Sequence, residues 1–182
     1  SNADPAVSQP VQIRDNAFFI SKGYGTGGRR IELNQTDDGS WSVNEIWKSA
    51  RILRTKFTNC VYLDGHVYGL SDGILECVDA ESGKKQWKRG RYGHGQLLLV
   101  NDYLVISAES GELVLVHATP EKFEELAKIP VIGDVTWNPL TLSGNRLLMR
   151  NGLSDGAEAA CVLLPTLQKE ETSTEASDES IQ

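Results

Sequence analysis

Three glycines near the start of the chain have the spacing of a loop that holds the phosphates of a dinucleotide. Gly23, Gly25 and Gly28 fit the pattern G-x-G-x-x-G, and the apolar run FFI (18–20) precedes them. Such a loop must open a helix, because the helix N-terminus faces the pyrophosphate. The segment RRIELNQTDDGSWSV (29–43) instead alternates like two strands joined by a turn. We therefore predict a hairpin turn at these glycines and no bound nucleotide.

Three other segments combine aromatic rings, amides and cations, which together could bind a small polar or acidic ligand or a peptide loop. The segments are KFTNC (56–60), GHGQL (93–97) and TWNPL (136–140), in which Phe57, His94 and Trp137 coincide when the segments are aligned. The candidate binding residues are Lys56, Phe57, Asn59, Arg91, His94, Gln96, Trp137 and Asn138. His94 has no evident carboxylate partner, so general-base catalysis is not predicted. The alternative is that these side chains only fill space and satisfy backbone groups.

Whether these residues meet depends on the elements between them, and the sequence repeats regularly. A two-residue polar turn followed by a short apolar strand occurs in DNAFFIS (15–21), DGHVYGL (64–70), NDYLVIS (101–107) and GNRLLMR (144–150). An apolar run precedes each of these stretches and another strand follows it, which predicts antiparallel hairpins. Three units add a fourth strand, VNEIWKS, KKQWKRG or FEELAKI. The fourth unit ends after EAACVLLP, so its outermost strand is missing or supplied from elsewhere.

Four short antiparallel strands every 40 or so residues are typical of the blades of a β-propeller. We therefore predict an all-β fold, a β-propeller segment of about four four-stranded antiparallel blades. The predicted repeats occupy residues 4–167, with blades at about 8–50, 56–91, 94–131 and 135–167. The segment TPEKFEELAK (119–128) is predicted to make one turn of helix before its strand.

Composition and charge exclude several functions. The chain has 182 residues, about one domain, and its 40% hydrophobic and 24% charged residues are typical of a protein with a buried core. Segment 168–182 holds five carboxylates and one lysine, a charge of −4 out of the total −7. We predict that it is a disordered acidic tail, with a docking tail for a basic partner as the alternative. The remaining body carries −3 and no basic stripe, so nucleic-acid binding is not predicted.

Cysteine usage and the termini give few further indications. The three cysteines form no C-x-x-C pair and have no histidine at ligand spacing, so we predict buried thiols and no zinc site. No stretch approaches the roughly 18 apolar residues of a membrane span. Residues 1–3, SNA, look like the remnant of a cleaved tag, so the missing signal peptide says nothing about compartment.

The segment CVDAESGKKQW (77–87) resembles the tryptophan-docking motif of β-propellers of the pyrroloquinoline-quinone (PQQ)-like family, roughly A-x-D-x-x-T-G-K-x-x-W. Asp79, Gly83, Lys84 and Trp87 match, while Cys77 stands for Ala and Ser82 for Thr. The resemblance implies that the outer-strand tryptophan packs on the backbone of the next blade, where the small residue makes room for it. Trp47 takes the matching place in the first blade. Leu126 is predicted to take it in the third, which should loosen that interface.

The resemblance covers about residues 5–165 and extends to the C-terminal part of bacterial PQQ-like repeat proteins. These are similar to the propeller lipoprotein of the outer-membrane barrel-assembly machinery and to quinoprotein dehydrogenase-like propellers. The resemblance implies a ring of about seven or eight blades, of which this chain supplies half, and a periplasmic or cell-surface location. The arc could belong to a longer propeller, close alone or pair with a second copy. We favour a homodimer that completes the ring.

Members of this family include quinone-dependent dehydrogenases and propellers that bind no cofactor. The dehydrogenases hold PQQ and calcium over the propeller axis, and many contain a disulfide between adjacent cysteines. This chain has no Cys-Cys pair, and its acidic residues Asp37, Asp38, Asp64 and Asp72 lie on predicted turns, so neither PQQ nor calcium is expected. We predict a non-catalytic scaffold that mediates protein–protein or ligand contacts in the cell envelope. The alternatives are a dehydrogenase half-domain and a carbohydrate- or peptide-binding module.

Overall fold

The computed structural model describes residues 4–152 and 155–165, and all regular structure within these ranges is β-strand. The predicted tag remnant (1–3) and acidic tail (168–182) lie outside the described residues. Sheet 1 consists of β1 (Val11–Arg14), β2 (Ala17–Lys22), β3 (Gly27–Gln35) and β4 (Trp41–Ser49). Sheet 2 consists of β5 (Val61–Leu63), β6 (His66–Ser71), β7 (Ile74–Asp79) and β8 (Lys85–Arg91).

Sheet 3 repeats the same plan, and sheet 4 has three described strands. Sheet 3 consists of β9 (Gln96–Val100), β10 (Tyr103–Ser107), β11 (Glu112–His117) and β12 (Glu125–Pro130). Sheet 4 consists of β13 (Thr141–Ser143), β14 (Arg146–Arg150) and β15 (Ala159–Leu163). In every sheet the strands are antiparallel and lie side by side in chain order. The first strands of sheets 1, 2 and 3 contact one another, which arranges the sheets around a common axis and confirms the predicted all-β propeller segment.

The glycine-rich stretch forms the predicted turn between β2 and β3. The Thr26 amide donates a hydrogen bond to the Gly23 carbonyl (3.1 Å), which closes the turn. Gly27 has φ = 73°, and a Cβ there would lie 2.0 Å from the carbonyl oxygen of Ser49. Only glycine can adopt this conformation at such a close approach of two backbones. The glycines therefore form a turn between two strands of one sheet. Strand β3 follows this turn, whereas a nucleotide-binding loop would be followed by a helix.

The predicted helical turn at residues 119–122 is wrong, because this stretch consists of bends between β11 and β12. The carbonyl of Thr119 accepts a hydrogen bond from the indole Nε1 of Trp87 (2.9 Å) in the preceding sheet. The Thr119 hydroxyl donates to the carboxylate of Glu121. The backbone carbonyl that would start the helix is thus already paired with sheet 2, and tertiary packing overrides the local capping signal.

Three apolar clusters hold the four sheets together, one between each pair of neighbours. Phe19, Leu53 and Val67 belong to the cluster between sheets 1 and 2. The largest cluster, between sheets 2 and 3, contains Tyr68, Leu70, Leu75, Cys77, Tyr92, Leu97, Leu104, Ile106, Ala108, Val114, Val116 and Ala118. The third contains Val105, Leu113, Leu140, Leu147 and Met149. Sheets 2 and 3 therefore contribute residues from alternate positions of their strands to the interfaces on both sides, while sheets 1 and 4 each contribute to one.

Two tryptophans of outer strands connect neighbouring sheets, as the docking motif implies. The indole Nε1 of Trp47 donates to the carbonyl of Ala80 (3.1 Å) in sheet 2, and Trp87 makes the equivalent bond to sheet 3. Gly83 makes room for Trp47, because a Cβ at this glycine would lie 2.9 Å from the indole ring. Asp79 shapes the same turn by accepting hydrogen bonds from the amide (2.7 Å) and hydroxyl (2.6 Å) of Ser82. Both bonds stabilise the carboxylate and so lower the pKa of Asp79, and the bond from the Ser82 hydroxyl has the larger effect.

The outer strands β4, β8 and β12 each contain a β-bulge just before the docking position. In β4 the bulge lies between the pairs Arg30–Trp47 and Ile31–Glu45. In β8 it lies between Cys77–Trp87 and Val78–Lys85, and in β12 between Leu115–Ala127 and Val116–Glu125. The unpaired bulge residues are therefore Ile46, Gln86 and Leu126. Ala127, and not Leu126, takes the place of the two tryptophans, so the predicted equivalence of Leu126 is wrong by one residue. The interface between sheets 3 and 4 lacks a docking ring because Ala127 has none.

The prediction of buried thiols is right for two cysteines and wrong for the third. Cys60 and Cys77 are buried, and burial raises the pKa of each thiol to about 12. Cys161 is exposed, because it lies on the face of sheet 4 that no neighbouring sheet covers in the described part of the chain. No described helix has the length and apolar character to cross a membrane.

Candidate functional site

The three aromatic residues that coincide in the sequence alignment meet at one end of the sheets. This end, which we call the channel mouth, carries the loops that lead into β5, β9 and β13. The ring of Phe57 stacks on Trp137, with centroids 6.3 Å apart and planes at 26°, and its edge contacts His94 at 6.3 Å and 85°. Phe57 is 44% exposed and Trp137 is 51% exposed. These three residues, the aromatic cluster, present two apolar rings to solvent.

The backbone of Phe57 is strained, and a buried glutamine fixes it. Phe57 has φ = 59°, in the left-handed region that non-glycine residues rarely adopt. The side-chain amide of Gln96 donates hydrogen bonds to the carbonyls of Phe57 (2.6 Å) and Trp137 (3.1 Å). One side chain on β9 thus ties together two loops that are far apart in the sequence. The aromatic rings consequently keep a fixed orientation at the mouth.

A carboxylate that the sequence analysis missed supports the aromatic cluster from below. Glu109, in the turn between β10 and β11, accepts hydrogen bonds from the backbone amide of His94 (3.0 Å) and from the indole Nε1 of Trp137 (2.7 Å). Both bonds stabilise the carboxylate and lower the pKa of Glu109, and the bond from the His94 amide has the larger effect. A sequence signal for this residue exists, because Asp72 lies in the equivalent turn of the preceding sheet. Both turns follow a strand that ends in serine.

Glu109 changes the interpretation of His94 without making it a catalytic base. The carboxylate contacts the backbone amide of His94 and not its imidazole. The imidazole Nδ1 is buried and has no hydrogen-bond partner among the described residues. A general base needs an orienting partner on its ring and a path to a substrate proton. The geometry therefore supports a role for His94 in packing against Phe57.

The predicted cations line the rim of the mouth. The Nζ of Lys56 lies 3.3 Å from a carboxylate oxygen of Asp72 and 5.3 Å from the ring centroid of Tyr24. Arg54 also pairs with Asp72, at 2.9 Å, so two cations share one carboxylate. Arg91 is exposed and lines an open cavity of about 470 Å³ together with Tyr92, Gly93, Glu109, Ser110, Asp134 and Val135. The rim near Lys56 thus retains an excess of positive charge.

The predicted amides are engaged by the protein's own backbone. The side-chain oxygen of Asn59 accepts a hydrogen bond from the amide of Gln9 (2.8 Å), which holds the N-terminal segment. The side-chain amide of Asn138 donates to the carbonyl of Asn151 (2.9 Å). The side-chain amide of Gln96 donates to two backbone carbonyls, so the side chains of Asn59, Gln96 and Asn138 all hold loops in place. The groups that remain available to a ligand are the aromatic rings and the cations.

Solved structures share this architecture, although no protein-family model and no curated protein matches the sequence. The computationally designed protein Ika4 matches with a TM-score of 0.59 and 10% identity, over 90% of this chain and 96% of Ika4. BamB from Moraxella catarrhalis matches with a TM-score of 0.52 and 16% identity, over 80% of this chain. The fold shared with these structures is a β-propeller. Identities this low establish the fold of the propeller and not its activity.

The propeller spans only part of its natural neighbours. The match covers 40% of the BamB chain. A europium-containing methanol dehydrogenase also matches, over 68% of this chain and 24% of its own length, at 15% identity. Its TM-score of 0.47 is too low to support an argument about this propeller.

No metal centre is present among the residues that the structure describes, since no group of three or more His, Cys, Asp or Glu side chains there could hold an ion. The carboxylates nearest the mouth, Asp72 and Glu109, are paired with cations and with hydrogen-bond donors. Calcium needs six to eight oxygens, several of them charged. That the propeller binds neither PQQ nor calcium stays a prediction.

The pairing of Glu109 predicts a pH-dependent mouth. Because the folded-state pKa of Glu109 lies below its ordinary value of 4.5, its hydrogen bonds stabilise the folded chain fully above that pH. This stabilisation is lost as the pH falls through the lowered pKa. Glu109→Gln keeps one acceptor oxygen and cannot titrate, so it should loosen Trp137 at neutral pH. We expect the difference between the variant and the native propeller to vanish at low pH.

Acrylamide quenching of tryptophan fluorescence measures this effect. The measurement uses a Trp41→Phe background, because Trp41 is 67% exposed and would otherwise dominate the quenched signal. Circular dichroism at each pH verifies that the sheets remain folded. Equal quenching of the two proteins at neutral pH would show that Glu109 does not hold the indole.

Proposed function

We propose that this propeller is a non-catalytic scaffold that binds a protein partner at the channel mouth through Phe57 and Trp137. One observation carries the proposal: two stacked aromatic rings are held half-exposed by Gln96 and Glu109. Exposed aromatic rings are typical of the residues that dominate binding energy at protein interfaces. A strained backbone at Phe57 supports a functional role, because such strain collects at binding sites.

The chemistry of the mouth favours a peptide loop with an apolar side chain beside an acidic one. The rings provide an apolar surface, and Lys56 with Arg54 provides more positive charge than Asp72 alone compensates. Arg91 is also exposed at the cavity rim, but Glu109 and Asp134 line the same cavity and offset its charge, so the acidic side chain is expected beside Lys56 and Arg54. A scaffold role is favoured over catalysis because the imidazole of His94 has no hydrogen-bonded carboxylate. From the resemblance and the match to BamB, we propose the periplasm or the cell surface as its location.

The first experiment selects binding peptides and then removes one ring. A displayed library of random peptides is selected on the immobilised chain, and the affinity of selected peptides is measured for the native chain and for Phe57→Gly. Glycine adopts positive φ without strain, which offsets part of the packing lost with the ring, and circular dichroism verifies that the variant keeps its strands. We expect its affinity to fall about 30-fold, the effect of losing an interface residue worth about 2 kcal/mol.

Controls separate the proposal from its rivals. Trp41→Ala removes a more exposed aromatic ring outside the mouth, 67% against 44% for Phe57, and should leave the affinity unchanged. If Phe57→Gly binds the selected peptides as well as the native chain does, the mouth is not the binding site. Oligosaccharides that compete with the peptides would favour the carbohydrate-binding alternative. A change in the absorbance of PQQ when calcium and the chain are added would favour the dehydrogenase alternative.

A further inference from the structure

Equivalent positions of the four sheets differ in burial at the two ends of the arc. On one face of the second strands, Val67, Leu104 and Leu147 are each 0% exposed, because each packs on the preceding sheet. Phe18 has the same position in sheet 1 and is only half-buried. The preceding face of sheet 1 therefore lacks the cover that its equivalents have.

The opposite faces show the complementary pattern. Phe19, Tyr68 and Val105 pack on the following sheet and are 0%, 1% and 5% exposed. Leu148 has the same position in sheet 4 and is 46% exposed. Cys161 on β15 is the cross-strand partner of Leu148, just as Cys77 on β7 is the partner of Tyr68. Cys161 is exposed, whereas Cys77 is 0% exposed. Among the residues that the structure describes, none covers the following face of sheet 4 either.

The two uncovered faces differ in shape in a way that suits mutual packing. The leading face, on sheet 1, presents Phe18, Ile20, Ile31, Leu33 and Val43, which the strand register places on one side. Phe18 is larger than the Val or Leu at its equivalent positions. The trailing face, on sheet 4, presents Leu148 and Cys161 beside an open cavity of about 390 Å³ that Ala159 and Arg150 also line. The exposed Arg146 and Arg150 flank Leu148 on this face. The recess is thus apolar at its centre and charged at its edges, and it could accept a large apolar side chain such as Phe18.

We propose that two copies of this chain associate so that the leading face of each covers the trailing face of the other. Every interface between the described sheets joins a following face to a preceding face, and a second copy supplies both missing faces at once. A two-fold axis then closes the ring with no face left over. Apolar burial at two identical interfaces stabilises the dimer.

This association would also complete the channel mouth. Phe57, His94 and Trp137 come from the loops that lead into sheets 2, 3 and 4, and they line only one side of the mouth. The second copy places an equivalent aromatic cluster on the opposite side. The dimer interface itself uses none of the mouth residues, so this proposal stands or falls separately from peptide binding.

Light scattering of the full chain tests the assembly. The expected mass is twice 20.0 kDa. Leu148→Lys places a charge on the trailing face and should give a monomer, because burying an unpaired charge in the interface is costly. Leu126→Lys is the matched control: Leu126 is 49% exposed, lies on β12 away from both end faces, and should leave the dimer intact. Circular dichroism verifies that both variants keep their strands.

Labelling of Cys161 provides an independent readout that needs no variant. Cys161 is the exposed cysteine, and Cys60 and Cys77 are buried within the chain, so a bulky maleimide reports on the trailing face. We expect the labelling rate to fall at least about tenfold as the protein concentration rises through the dimer dissociation constant. A monomeric mass with concentration-independent labelling would overturn the proposal. A mass that keeps growing with concentration would also overturn it, because open chains would then form in place of closed dimers.

Discussion

Replacing Trp87 with alanine is expected to lower the free energy of unfolding by about 3 kcal/mol, the lower end of the range for large aromatic residues. The indole packs against Tyr68 and Phe123, with ring centroids 6.0 and 5.7 Å away, and it donates a hydrogen bond to the carbonyl of Thr119. The lower end applies because Trp87 is only partly buried. Loss of the ring removes one of the direct links between sheets 2 and 3, beside the apolar cluster that also joins them. Chemical denaturation followed by circular dichroism measures the change.

Two further variants separate the contributions of Trp87. Trp87→Phe keeps an aromatic ring and loses the hydrogen bond, and it should cost about 1 kcal/mol plus a small packing loss. Leu126→Ala removes a side chain that is 49% exposed and lies away from both end faces, and its effect should stay within about 0.5 kcal/mol. A Trp87→Ala variant as stable as Leu126→Ala would mean that the docking contact does not hold the sheets together.

Replacing Glu76 with alanine is expected to destabilise the propeller by about 3 kcal/mol. Glu76 lies in the middle of β7 and is 0% exposed. Its carboxylate accepts a hydrogen bond from the amide of Leu53 (3.0 Å) and lies 3.5 Å from Lys88 and 3.6 Å from Lys85. Alanine leaves the buried Leu53 amide without its acceptor and creates a cavity. The midpoint of denaturant unfolding measures the loss.

The loop that Glu76 holds explains why one hydrogen bond matters here. Leu53 is 0% exposed and has φ = 42°, an unfavourable conformation for leucine in the connection between sheets 1 and 2. Glu76→Gln keeps an acceptor for the amide and loses the attraction to the two lysines. We expect it to cost about half as much as Glu76→Ala. If the two variants cost the same, the charge of Glu76 and not its bond to Leu53 determines the stability.

The fold was accessible from the sequence because its signals are local. Asp64 and Gly65 both have positive φ in the turn between β5 and β6, as the Asp-Gly pair predicts. A two-residue turn recurs at the same point of each repeat, with one positive φ at Asn101 and at Gly144, so the strand order follows from chain order. The error at Leu126 has a local cause too. A bulge adds a residue to one strand, and nothing in the spacing of FEELAKI marks where it occurs.

Only part of the arrangement at the channel mouth could be predicted from the sequence. Alignment of the repeats identified Phe57, His94 and Trp137 as equivalent, and equivalent positions of neighbouring blades lie close together around the axis. The roles of Gln96 and Glu109 were not visible, because they depend on hydrogen bonds between residues 28 to 41 positions apart. That the aromatic cluster binds a ligand stays a prediction. Glu76 was missed because a glutamate within an apolar strand gives no sign of its partners.

The bulges in β4, β8 and β12 have a consequence for solubility during folding and expression. A regular outer strand presents a row of free amides and carbonyls that can recruit a strand of another chain into an aggregate. A bulge interrupts that row and twists the edge, so the outer edges of sheets 1, 2 and 3 are poor templates for aggregation. Strand β15 pairs with β14 along its whole length without a bulge, and it forms the edge of sheet 4 in the described part of the chain. Among the described edges, that of β15 is therefore the most regular template for strand addition.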